Sequence, residues 1–131
     1  MAGAQLPSAA ELHRIAGRIL KLSDADETEV SIDAVADALT RFANNTIHQH
    51  VAEQSLAISV RTVFDGRTAR ATTNKTDEDS LRRVVAASAG LARSQPKSPD
   101  LLPMPGVQEY ARVKRYCEGT AAATPHDRAR S

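Results

Sequence analysis

The side chains able to do chemistry are few and scattered. His48-Gln49-His50 is the most suggestive group. On a strand, alternate residues point the same way, so both imidazoles could reach one metal ion. Glu53 or an acid from a neighbouring strand would then complete the set and give a small metal-dependent hydrolase. Two histidines at i, i+2 with no fixed third ligand also describe a plain solvated strand face. Ser55, a histidine and Asp65 would supply the residue types of a nucleophilic triad, but no G-x-S-x-G elbow supports them. Cys117 stands alone beside Arg115-Tyr116, where the adjacent guanidinium would lower the thiol pKa. Arg61, Arg67 and Arg70 flank Asp65-Gly66 and form a guanidinium row suited to phosphate or RNA, or equally a solvated or domain-facing sheet surface. Sheets that bind single-stranded nucleic acid interleave aromatic residues for stacking, and only Phe64 is near. The phosphate-binding glycine motifs, C-x-x-C and any His-Glu dipeptide are all missing from the sequence.

Alternating runs and two amphipathic helices position these groups. Ser8 and Glu11 form a capping box, followed by Leu12, Ile15, Ala16, Ile19 and Leu22 at helical spacing. This predicts a helix over 9–22. Gly17 inside it fits either a close helix–sheet approach or plain tolerance at about 1 kcal/mol against alanine. Period-two alternation then predicts strands around Thr28–Ala34, Leu39–Ala43, Ile47–Ala52, Leu56–Phe64 and Arg67–Thr73. Asn44-Asn45 and Asp65-Gly66 mark turns that need positive φ. Thr76 as N-cap, three early carboxylates and a stripe of Leu81, Val84, Val85, Ser88, Leu91 and Ala92 predict a second helix over 77–93. The fold class is therefore α+β: an antiparallel or mixed sheet of four to five strands with helices packed on it.

The remainder is a different kind of chain. Four prolines between Gln95 and Gly106 exclude a regular helix there. Val107 to Glu118 reads as a strand or short helix around Tyr110, Val113 and Tyr116. Thr124-Pro125-His126-Asp127 starts a helix about one turn before Ser131, which reads as a domain that continues further. The division expected is a helix–sheet–helix domain over 1–94 and a proline-rich connector with an incomplete continuation over 95–131.

Composition bounds the function. Of 131 residues, 41% are hydrophobic, but 23 are alanine and only 26 are Leu, Ile, Val or Phe. Such a core is thin for a self-sufficient domain. Seventeen basic residues against 16 acidic ones give +1, so no polybasic arm dominates. No apolar run is long enough to span a membrane, no secretion signal opens the chain, and a single cysteine excludes an internal disulfide. Together these point to the cytoplasm.

Two phrases are distinctive: Leu39-Thr40-Arg41-Phe42-Ala43-Asn44-Asn45-Thr46-Ile47-His48-Gln49, and Ser59-Val60-Arg61-Thr62-Val63-Phe64-Asp65-Gly66-Arg67 running on to Asn74. Together they resemble the N-terminal domain of the TldD/PmbA family of zinc metallopeptidases, over about Glu11 to Arg93. Ala57-Ile58-Ser59 replaces the usual glycine-rich approach, and Thr68-Ala69-Arg70 stands where a glycine and an aromatic are common. The resemblance implies a cytoplasmic protein that pairs with a related subunit as a hetero- or homodimer. In it, the catalytic subunit cuts peptides or unfolded segments with zinc held by an H-E-x-x-x-H motif. None of His13, His48, His50 or His126 matches that motif. No catalytic, cofactor-binding or metal residue is carried over. The residues that do carry over are structural: Arg41, Phe42, Asn44 and the Asp65-Gly66 hairpin. The function expected is a non-catalytic scaffold part of such a subunit, with no nucleic-acid or membrane partner. The alternative is a stand-alone binding module using the arginine-bearing sheet face for nucleic acid or a protein.

Overall fold

A computed structural model describes residues 6–44 and 46–130. Helix α1 (Ala9–Leu22) opens the fold, and the capping box of Ser8 and Glu11 is formed in both directions. Three strands follow: β1 (Glu27–Ala43), β2 (Thr46–Phe64) and β3 (Arg67–Thr73). Then come α2 (Glu78–Ser94), α3 (Glu118–Ala121) and α4 (Pro125–Arg130). The sheet order is β1-β2-β3. β2 and β3 pair antiparallel, with Ile58 opposite Thr73 and Arg61 opposite Arg70. The short connection between Ala43 and Thr46 makes β1 and β2 a hairpin, and hairpin-linked strands pair antiparallel.

The sheet thus has three strands, not the four to five expected. The alternating runs before and after Ala34–Leu39, and before and after Ala52–Leu56, are each one continuous strand. Neither junction carries the glycine, proline or paired turn residues that would break the alternation.

The described chain divides into two compact units. The first comprises the residues up to Val35 together with Gln54–Met104; the second comprises Ala36–Glu53 together with the residues from 105 onward.

In the first unit α1 and α2 cover one face of the sheet. Ile58, Val60 and Thr62 of β2 are fully buried, as alternation requires, with Val30 and Ile32 of β1 and Ala71 of β3 packed alongside. The helices contribute Ile19 from α1 and Leu81, Val84 and Val85 from α2. Ser88, Ala89 and Ala92 extend the α2 stripe, while Leu91 faces solvent. The Ser88 hydroxyl donates to the Ala69 carbonyl at 3.1 Å and pairs with Thr62 Oγ1 at 2.9 Å. Asp77 caps α2 in place of Thr76, its carboxylate accepting from the Ser80 N–H at 2.9 Å. Two ion pairs tie the helices in: Arg18 to Glu78 at 2.5 Å, and Arg93 to Asp24 at 2.9 Å. Arg93 also lies over the Phe64 ring, 4.0 Å from its centroid. A Cβ at Gly17 would meet nothing within 4 Å. That glycine therefore serves no close approach.

Beyond α2, residues 101–117 have no regular structure, and helix appears only at Glu118. The strand or short helix expected there does not form, and Val107, Tyr110, Val113 and Tyr116 are exposed. Gln95–Met104 is held to the first unit. The Ser98 N–H donates to the Gly66 carbonyl at 2.9 Å, and the Met104 N–H donates to the Glu27 carboxylate at 2.6 Å. In the second unit Thr124 and Asp127 form a reciprocal cap on α4, as the sequence predicts.

Candidate functional site: the charged face of the sheet

The face of β2 opposite the core carries Ser59 and Arg61, and the register sets Thr72 and Arg70 of β3 beside them. Like charges directly opposite each other repel. Glu29 of β1 resolves this, with one carboxylate oxygen 3.0 Å from Arg61 and the other 2.5 Å from Arg70. Arg70 also donates to Ser59 Oγ at 2.7 Å. The short bond from Arg70, more than the nearby charge of Arg61, holds the Glu29 carboxyl below its ordinary pKa. The Arg61 Nε is buried without a partner, so this guanidinium depends on Glu29 for charge balance.

A second cluster closes the β2–β3 turn. Asp65 and Gly66 have φ of 50° and 72°, the left-handed pair that the hairpin signal requires. The Asp65 carboxylate lies 2.6 Å from Lys97 and 3.3 Å from Arg67, and Lys97 is the main cause of its lowered pKa. The Asp65 N–H in turn donates to the Asp26 carboxylate at 2.8 Å.

The guanidinium row is thus drawn into ion pairs along the sheet and its turn. Arg61, Arg67 and Arg70 all pair with carboxylates of the same chain. Glu29, Asp26 and Lys97 are the residues sequence reasoning missed. Alternation sorts residues by face, but only strand register brings Glu29 between two arginines.

The other candidates do not assemble. His48 and His50 are exposed, and His50 Nδ1 lies 3.1 Å from Thr40 Oγ1. Among the described residues no group of three or more His, Cys, Asp and Glu could hold a metal ion. The zinc implied by the resemblance therefore has no fitting donor set here. Ser55 and Asp65 belong to different stretches of the sheet, ten positions apart, or about 30 Å at strand rise. The Cys117 thiol is exposed, and its pKa is lowered by hydrogen bonds from Thr120 and Gly119, not by Arg115. A groove of about 350 Å³ between β3 and the start of α2 is lined by Lys75, Ser80 and Arg83 among others, and offers no nucleophile–base pair.

The Glu29 cluster makes a direct prediction. Glu29→Gln leaves Arg61 and Arg70 opposed with no shared acid, and should cost on the order of 1 kcal/mol, read by urea denaturation. Because the folded-state pKa is lowered, this stabilisation is complete above the unfolded carboxyl's pKa. It is lost as pH falls through the folded one. The wild type and the Gln variant should therefore converge in stability on acidification.

The described residues thus form an α+β layer in which the charged side chains of the sheet face pair with one another. Residues 28–92 match the family model described as PmbA/TldA metallopeptidase domain 1, and the chain belongs to the PmbA/TldD family through that domain. The fold is also that of a solved structure, TldE from Thermococcus kodakarensis: TM-score 0.69, 18% identity, covering 90% of this chain and 26% of that one. The chain thus spans about a quarter of the length of that relative. No curated protein matches the chain. No helix among the described residues is long and apolar enough to cross a membrane. Of the structural carry-over, Asn44 has the positive φ of 50° expected of its turn. Arg41 and Phe42 are exposed near the end of β1.

Proposed function

We propose that the chain is the N-terminal scaffold part of a TldD/PmbA-type metallopeptidase subunit, acting in proteolysis of peptides or unfolded segments without being catalytic itself. The match of residues 28–92 to the first domain of that family carries this reading. The self-contained ion pairing of Arg61, Arg67 and Arg70 supports it, since a phosphate-binding module would leave such a row free. Residues 1–94 form the family domain and 95–131 the connector that leads from it. The zinc belongs to a catalytic subunit bearing H-E-x-x-x-H. The partner is a related subunit, the substrate an extended or unfolded peptide, and the compartment the cytoplasm.

The test is a peptide-release assay on casein, with added zinc. The purified chain alone should release nothing above the buffer rate. Hydrolysis by the chain alone that a chelator abolishes would overturn the scaffold role. Electrophoretic mobility of a single-stranded RNA should be unchanged at low salt. A complex that weakens steeply as salt rises would establish the nucleic-acid module instead.

A further inference from the structure

The sheet of the first unit ends on a bare strand edge. Its order is β1-β2-β3, and among the described residues no strand lies beyond β3. Phe64 and Arg67 flank the two-residue turn as a hydrogen-bonded pair, so Ala69, Ala71 and Thr73 also direct their backbone groups toward β2. Thr68, Arg70 and Thr72 direct theirs outward, where no strand receives them. Such an edge is a template for one more extended chain.

The groove of about 350 Å³ lies at the Thr73 end of that edge, between β3 and α2. Ala71, Val84 and Ala87 give it an apolar lining, Lys75 and Arg83 add two cations, and no acid lines it. The arginines of the sheet face have carboxylate partners, and so does Arg82 beside Arg83 on the helix. Among the described residues no carboxylate lies within ion-pair distance of Lys75 or Arg83. Arg83 donates instead to the Ser80 hydroxyl at 3.0 Å. The charge of Asp77 reaches Arg83, but that carboxylate is held by the Ser80 N–H at the helix cap. We infer that β3 and this groove bind the C-terminus of an extended peptide. Its free carboxylate lies between Lys75 and Arg83, and its last side chain rests on the apolar lining. The residues before it pair with the outward groups of Thr72 and Arg70. With the carboxylate at the Thr73 end, the peptide runs parallel to β3. An internal segment brings no carboxylate to the cations, and a free anion brings no backbone to the edge. The two features together select a chain end. This goes beyond the scaffold role and does not rest on it, because it is read as binding by this chain alone.

Fluorescence anisotropy with the full chain tests this. The probe is a decapeptide of serine and threonine ending in valine, labelled at its N-terminus. The free-acid form should bind, and its C-terminal amide should bind about tenfold more weakly. Arg83→Gln and Lys75→Gln should each weaken the acid form and leave the amide unchanged, which a merely structural role would not produce. Arg82→Gln removes the same charge one position away and should leave both forms unchanged. Thr72→Pro removes an outward N–H, which an edge strand tolerates, and should weaken both forms. No binding of the acid form at the highest soluble concentration of the chain overturns the proposal. So does equal binding of acid and amide, or a loss with Arg82→Gln as large as with Arg83→Gln, which would reduce the effect to general charge attraction.

Discussion

Leu81→Ala is expected to destabilise the first unit by about 2–5 kcal/mol, the range for truncating a fully buried leucine. Leu81 has no exposed surface and sits with Ile19, Ile58, Val60, Val84 and Val85. Nine apolar side chains are buried among the described residues, and two of them are alanine. Few neighbours can move in to fill the space. The effect should therefore lie toward the upper part of that range, a large share of the ~5–15 kcal/mol typical of a whole domain. The measurement is the urea midpoint by circular dichroism. Leu91→Ala on the same helix is the control. Leu91 is 49% exposed, so its loss should shift the midpoint little. Equal effects at the two positions would mean that the helix does not pack as described.

Ser88→Ala is expected to cost about 1–3 kcal/mol, although it removes a single oxygen. The Ser88 hydroxyl donates to Ala69 O, so the Thr62 hydroxyl acts as donor in the pair with Ser88. Both residues are buried, and removing Ser88 Oγ strands the Thr62 proton where water does not reach. Thr62→Val is the informative comparison. It removes the donor and leaves Ser88 bonded to Ala69, so its cost should be clearly smaller than that of Ser88→Ala. Thermal melts of the two variants read the asymmetry directly. A reversed order would mean that the hydroxyl bonds run the other way.

The elements specified by local signals were legible in the sequence. The Ser8–Glu11 box placed α1, and Asp65-Gly66 placed the tight hairpin, because a capping side chain and a positive φ are decided within a few residues. The alternation of Leu56, Ile58, Val60 and Thr62 gave the buried face for the same reason. The number of strands was not legible. Alternation cannot tell one long strand from two collinear ones when no turn residue intervenes, as at Val35–Ala38 and Glu53–Ser55. The partner of the arginines was not legible either, because Glu29 meets Arg61 and Arg70 only through strand pairing across more than 30 positions. The cysteine shows a third limit. Arg115 was the neighbour in sequence, yet hydrogen bonds from Thr120 and Gly119 set the direction of the shift. In the segment 101–117 Leu102, Val107, Tyr110, Val113 and Tyr116 stay exposed, so local pattern alone did not give it structure.

The arrangement of the core also governs the order in which the chain can fold during synthesis. Ile58 and Val60 are covered by Ile19 on one helix and by Leu81, Val84 and Val85 on the other, and the Arg18–Glu78 contact alone spans 60 positions. Helix α1 leaves the ribosome early but lacks its contact with α2 until that helix follows. The sheet can pair before then, yet its apolar face stays wet. Closure waits for residues near Ala92, and contacts so distant in sequence make the step slow compared with forming either helix. During that interval the nascent β2 presents a bare hydrophobic face, the condition under which aggregation competes with folding.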